Sequence, residues 1–139
     1  MESLEGSAFC LDTSVLVDNL RGRGGTVGFL RRFEEKGANL FTTSINSFEL
    51  YYGAYRSAKR EKNIAAARAL LKRLVVLELT EEGSEEAGRI LSLVESKGER
   101  VDFRDVLIGA IAKLHKATFI TRDTEHFKRM PDLNVKEAP

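Results

Sequence analysis

Phe9-Cys10-Leu11-Asp12-Thr13-Ser14-Val15-Leu16-Val17-Asp18 runs three apolar residues into an acid and two hydroxyls, and an amphipathic pattern begins at once. A buried strand passing directly into a helix has this form. Asp12 then stands at the carboxyl end of that strand. In an open parallel α/β sheet this is the edge where neighbouring loops part and ligands bind. The same carboxylate also suits helix capping, because Asp12, Thr13 or Ser14 can accept a hydrogen bond from the first free N–H groups of the helix. What separates capping from chemistry is whether other acids arrive at the same edge.

Near the other end of the chain the device is repeated. Ala117-Thr118-Phe119-Ile120-Thr121 reads as a strand and runs into Arg122-Asp123 just as the first runs into Asp12. Between them strand and helix alternate. Asp12 to Arg21 forms a first helix, Gly22-Arg23-Gly24-Gly25 a turn, and Thr26 caps a second helix that ends at Gly37. Leu40-Phe41-Thr42 is a strand, followed by a helix from Thr43 to Ala58 on which Ile45, Phe48, Tyr52 and Tyr55 form one apolar face and Glu49 comes early. Tyrosines at this spacing favour core or subunit contacts over stacking on nucleic acid. A helix over Asn63 to Leu74, a strand Val75 to Leu79 and a long helix from Thr80 to Lys97 come next. Val106 to Ala112 is apolar almost all round, so its helix is central; Asp102 suits its N-cap, and Asp105 lies in its first turn. A short helix over Thr124 to Phe127 and an edge strand at Leu133-Asn134-Val135 complete the pattern. Alternation of this kind predicts parallel βα units with right-handed crossovers.

Composition narrows the classes. The 139 residues, 42% hydrophobic and 31% charged, suit one globular domain that buries a core without disulfides. No apolar run approaches the roughly 20 residues that cross a bilayer. The start, Met1-Glu2-Ser3-Leu4-Glu5-Gly6, is acidic and lacks the pattern of a signal peptide, so a cytoplasmic location is expected. Cys10, the single cysteine, lies within the strand pattern and reads as an inert buried side chain. With 22 basic and 21 acidic residues the net charge is +1, and a polyanionic partner must be held locally.

Asp12, Glu49, Asp105 and Asp123 each fall at a strand's carboxyl end or in a helix's first turns. Oxygen-only donors, with no cluster of cysteine or histidine, suit a hard cation such as Mg²⁺ or Mn²⁺ rather than zinc. Without a cation, converging carboxylates repel and some take up protons. A cation held there can activate a water and stabilise the leaving oxygen of a phosphodiester, which points to metal-assisted hydrolysis. A haloacid-dehalogenase phosphatase would carry Asp-x-Asp where this chain has Asp12-Thr13-Ser14. A response-regulator receiver would cluster acids ahead of its aspartate.

Four segments in order resemble the motifs of the PIN-domain nucleases, and within them the VapC toxins of toxin–antitoxin pairs. They are Leu11-Asp12-Thr13-Ser14-Val15-Leu16, Ser44-Ile45-Asn46-Ser47-Phe48-Glu49-Leu50, Asp105-Val106-Leu107-Ile108-Gly109-Ala110 and Thr121-Arg122-Asp123-Thr124-Glu125-His126-Phe127. The resemblance implies a single PIN domain over residues 1–139, an α/β/α sandwich with a central parallel sheet of four to five strands. It further implies a Mg²⁺- or Mn²⁺-dependent endoribonuclease, a homodimer, and a VapB-like antitoxin that inserts into the active-site groove. By the same resemblance Asp12 and Asp105 are principal metal ligands and Asp123 is either a further ligand or an acid that supports them. Glu49 orients the attacking water, and Ser14, Thr121 and Arg122 position phosphate or ligands. Many relatives carry asparagine where Asp123 stands, and Gly109 takes a place often held by alanine.

Three functions fit these residues: a toxin endoribonuclease acting on RNA, a housekeeping PIN nuclease in RNA maturation without antitoxin, and a non-catalytic half of a repressor complex. Arg122, Arg56, Arg60 and Lys59 are the basic candidates for contact with single-stranded RNA.

Overall fold

The computed structural model describes residues 3–139. Met1 and Glu2, the first residues of the acidic start, lie outside the described residues. Five short strands, β1 (Ala8–Leu11), β2 (Asn39–Thr43), β3 (Val75–Leu77), β4 (Thr118–Thr121) and β5 (Val135–Glu137), form one sheet in the order β3-β2-β1-β4-β5. Every pairing is parallel, with Cys10 beside Phe41 on one flank and beside Phe119 on the other.

Side chains alternate along these strands as a sheet covered on both faces requires. Phe9, Leu11, Leu40 and Ile120 enter one core, with α1 (Thr13–Leu20), α2 (Gly24–Glu35), α3 (Ser44–Arg56) and α4 (Arg60–Leu71). Cys10, Phe41 and Phe119 enter the other, with α5 (Glu81–Ser96), α6 (Phe103–Leu114) and α7 (Thr124–Phe127). The result is the expected α/β/α sandwich, with five strands. Because the chain leaves β1 over one face and enters β4 from the other, these adjacent strands part at their carboxyl ends. That gap is the topological switch point at which open parallel sheets bind ligands.

Several boundaries differ from the sequence reading, each for a local reason. Helix α2 begins at Gly24, two residues before Thr26, with Arg23 at its cap and no side-chain cap bond. Thr26 is fully buried, its hydroxyl accepting a hydrogen bond from Arg122 Nη2 at 3.2 Å. Helix α4 covers Arg60–Leu71 rather than Asn63 to Leu74, β3 stops at Leu77, and β5 lies two residues later than expected, paired with β4 through Phe119 and Val135. The larger correction concerns α3. Its buried residues are Asn46, Leu50 and Ala54, whereas Phe48, Tyr52 and Tyr55 are 59%, 53% and 54% exposed. The small and polar side lies inward because it packs on α4 and α1 and meets Asp12, and the aromatic stripe is left outside.

Candidate active site

Asp12 follows β1 and Thr121 ends β4, so the register that sets Leu11 beside Ile120 brings their side chains together one step further on. The Asp12 carboxylate is 8% exposed and accepts four hydrogen bonds. Thr13 N–H (2.8 Å) and Asn46 Nδ2 (3.1 Å) donate to Oδ1, and Thr121 Oγ1 (2.7 Å) and Ser14 Oγ (3.4 Å) donate to Oδ2. Asp12 therefore caps α1 and also forms the hub of a side-chain network; the two readings coexist. Burial raises its pKa, the hydrogen bonds lower it in part, and Glu49 adds to the rise.

The network continues through α3. Thr43 caps the helix by accepting from Asn46 N–H (3.2 Å) and donates its own proton to Asn46 Oδ1 (2.7 Å). Asn46, fully buried, divides its Nδ2 donors between Asp12 and Thr13 Oγ1 (2.9 Å), and Thr13 donates onward to Glu49 Oε1 (2.7 Å). Glu49 lies in the second turn of α3, partly buried, with its other oxygen 3.8 Å from Arg104 Nη1. No buried side-chain nitrogen or oxygen among the described residues lacks a partner.

Helix α6 delivers Asp105. Asp102 caps that helix by accepting from Arg104 N–H at 2.9 Å, and it grips the Arg104 guanidinium at 2.9 Å, which holds its own carboxyl below the usual range. Asp105 in the first turn is half-buried, and its carboxyl is pushed up to about 6 by burial and then by the charges of Asp12, Asp102 and Glu49. The charges of Asp12, Asp102 and Glu49 thus all reach Asp105.

Asp123 stands apart from them. Its backbone N–H donates to Thr121 Oγ1 (2.9 Å), while its half-exposed carboxylate lies 2.5 Å from His126 Nδ1. As they stand, no three acid, histidine or cysteine side chains among the described residues are gathered closely enough to surround an ion. Arg104 lies 3.8 Å from Glu49, and His126 pairs with Asp123. The donor set nonetheless fits a hard cation: it is all oxygen, it is partly desolvated, and Asp12 and Asp105 carry the raised proton affinity of acids awaiting a counter-charge.

Arg122 is the residue whose placement departs most from its reading as an RNA or phosphate contact. Its side chain turns away from the acids to Asp18, Thr26 Oγ1 and the Pro139 carbonyl. Arg56 lies over the Tyr52 ring, and Arg60 donates to the Tyr55 carbonyl; both stay exposed. Asn46 and Arg104 belong to the site and were not singled out from sequence, and Thr13, named there only as a cap, links Asn46 to Glu49. The signal for Asn46 is its spacing: with Leu50 and Ala54 it defines a helix face that Phe48 and Tyr52 outshine in hydrophobicity.

The model of the PIN domain family matches residues 9–133. Ribonuclease VapC2 of Haemophilus influenzae is 27% identical over 128 residues, 92% of this chain and 96% of the relative. Ribonuclease VapC19 of Mycobacterium tuberculosis is 30% identical over 123 residues, 88% and 94% of the two chains. Among solved structures, that of VapBC2 from Rickettsia felis, bound to a DNA fragment from their promoter, superposes with a TM-score of 0.86 at 26% identity, covering 93% of this chain and 97% of the other. Sheet order, switch-point acids and these likenesses agree: the chain belongs to the PIN domain family and, within it, to the VapC group.

Proposed function

We propose that this protein is a divalent-metal-dependent endoribonuclease, a single PIN domain over residues 1–139, acting as the toxin of a toxin–antitoxin pair. The observation that carries the reading is Asp12, a buried carboxylate at the switch point, electrostatically joined to Glu49 and Asp105 with only oxygen donors around it. PIN-domain nucleases generally depend on a divalent metal, and this donor set suits Mg²⁺ or Mn²⁺.

Asp12, Asp105 and Asp123 would hold the ion. When bound, it supplies Lewis acidity toward a phosphodiester oxygen and lowers the pKa of a water. The chain's own contribution is to orient and to hold protons. Four donors fix the Asp12 carboxylate in one direction. Glu49, fixed by Thr13, orients the attacking water and takes its proton, and Ser14 and Thr121 keep Asp12 aimed. Arg104, exposed at the rim, can meet a backbone phosphate only by exchanging its bonds to Asp102.

A groove between α1, α3 and α4, lined by Val17, Leu20, Leu50, Ala54 and Ala67, supports an amphipathic segment of a VapB-like antitoxin as partner. Exposed Phe48, Tyr52, Tyr55 and Phe103 support a homodimer. A cytoplasmic site of action agrees with the lack, among the described residues, of a helix long and apolar enough to cross a membrane. The promoter-bound relative supports a second role within a DNA-bound complex with the antitoxin.

The test is cleavage of structured RNA by the purified protein with Mg²⁺ or Mn²⁺, with EDTA, and with Asp12→Asn. Cleavage is expected to need metal and to fall about two orders of magnitude or more in the variant. Cleavage indifferent to both changes overturns the reading.

A further inference from the structure

We propose that the Asp18–Arg122 ion pair is a positioning device for the acid site, holding the turn between β4 and α7 so that Ser14 and Thr121 both aim at Asp12. This rests on the metal-nuclease reading above and assigns Arg122 a part in it that is not contact with RNA.

Asp18 is 4% exposed, and a carboxylate so buried has to be paired. Arg122 Nε meets its Oδ2, and Arg23 Nε lies 3.3 Å from its Oδ1. The Arg122 guanidinium also donates to Thr26 Oγ1 at 3.2 Å and to the Pro139 carbonyl at 2.9 Å. One planar fork thereby joins α1, α2 and the strand-β5 end of the chain. The main chain of the same residue reaches α1 one turn nearer its start. Arg122 N–H donates to Ser14 Oγ (3.2 Å), and the next N–H, of Asp123, donates to Thr121 Oγ1 (2.9 Å). Each hydroxyl, with a lone pair occupied by an N–H, directs its own proton to Asp12 Oδ2. Two consecutive amides of one turn thus steer two hydroxyls onto a single carboxylate oxygen.

The turn is also held by β5, through Ala138 N–H to the Thr121 carbonyl at 2.9 Å, by buried Phe127 and by His126 on Asp123, but none of these joins it to α1. Helix α7 has four residues, and Asp123 makes no side-chain cap bond. Helix α1 supplies both ends of the device, since Ser14 and Asp18 are one turn apart and face the same turn. Releasing the guanidinium frees the turn to rotate; Asp12 Oδ2 then loses its aim and Asp123 its position. Partners that orient metal ligands act on metal affinity by about 10–100-fold.

The experiment measures Mn²⁺ binding to the full-length protein by the electron paramagnetic resonance of the free ion, in wild type, Arg122→Gln, Asp18→Asn and Arg122→Lys. Circular dichroism melts and the affinity for a fluorescent single-stranded RNA in EDTA accompany it. Arg122→Gln and Asp18→Asn are expected to weaken Mn²⁺ binding about 10-fold or more, with RNA affinity in EDTA unchanged. Arg122→Lys keeps the charge toward Asp18 but loses the fork, and is expected to fall between. Should Asp18→Asn not fold, the two Arg122 variants decide alone. Lower melting temperature with unaltered Mn²⁺ affinity overturns the proposal in favour of a purely structural pair. RNA affinity lost with Mn²⁺ affinity kept overturns it in favour of an RNA contact. Wild-type protein that binds no Mn²⁺ overturns the metal-nuclease reading itself, a failure separate from either.

Discussion

Asp105 lies half-buried in the first turn of α6, where burial, reinforced by Asp12, Asp102 and Glu49, pushes its carboxyl up to about 6. A carboxyl whose folded pKa is raised binds protons more tightly folded than unfolded. Asp105's contribution to the stability of the metal-free protein therefore falls as pH rises from about 4 through about 6, then levels. Asp105→Asn removes that contribution and leaves those of Asp12 and Asp102. In EDTA at neutral pH the variant is expected to be more stable than wild type by roughly 1–2 kcal/mol after allowance for solvent screening, with the difference vanishing near pH 4. Paired urea titrations across that range check it, and a pH-independent difference sinks it. Residues of this kind were legible because acids at strand ends and in the first turns of helices are conspicuous. Asn46 was not, since an amide on a helix carries no charge to draw notice, and its importance comes from the two oxygens it bridges. Arg122 was misread because sequence gives a side chain's chemistry but not the direction in which it leaves the backbone.

At the scale of elements, α6 ends on an unusual residue. Lys116 adopts φ +52°, the left-handed conformation, while Ala117 N–H closes the helix by reaching back to the Ala112 carbonyl at 3.1 Å. Gly37 and Gly98 occupy this region after α2 and α5 without steric cost, whereas a Cβ there costs about 1–2 kcal/mol. Lys116→Gly is expected to stabilise the protein by roughly 0.5–1 kcal/mol, the greater freedom of the unfolded glycine offsetting part of the relief. A melting temperature that drops would show that the lysine makes a compensating contact. Elements in general were readable from hydrophobic period and punctuation; faces and ends were less so. The aromatic stripe of α3 imitates a core face, yet only packing against α1, α4 and Asp12 selects Asn46, Leu50 and Ala54 for the inside. Thr26 likewise imitates a cap, because a threonine before an apolar pattern looks the same whether its hydroxyl serves its own helix or a distant arginine.

For the molecule as a whole, the exposed aromatic patch is the feature that a lone chain leaves unexplained. Phe48 and Tyr52 lie stacked with ring centroids 6.0 Å apart, and Phe103 is 61% exposed. If two copies associate through it, Phe48→Glu is expected to cost about 1–3 kcal/mol of association free energy, seen as a shift toward monomer in light scattering during gel filtration. An unchanged molar mass would remove the patch from the interface. The bond from Thr121 to Asp12 has one more consequence, because its partners are 109 residues apart. A ribosome adding roughly 5–20 residues per second needs roughly 5–20 s to travel that distance. During that interval the nascent chain carries Asp12 without the strand that orients it, so the acid site is completed only when nearly all of the chain has been made.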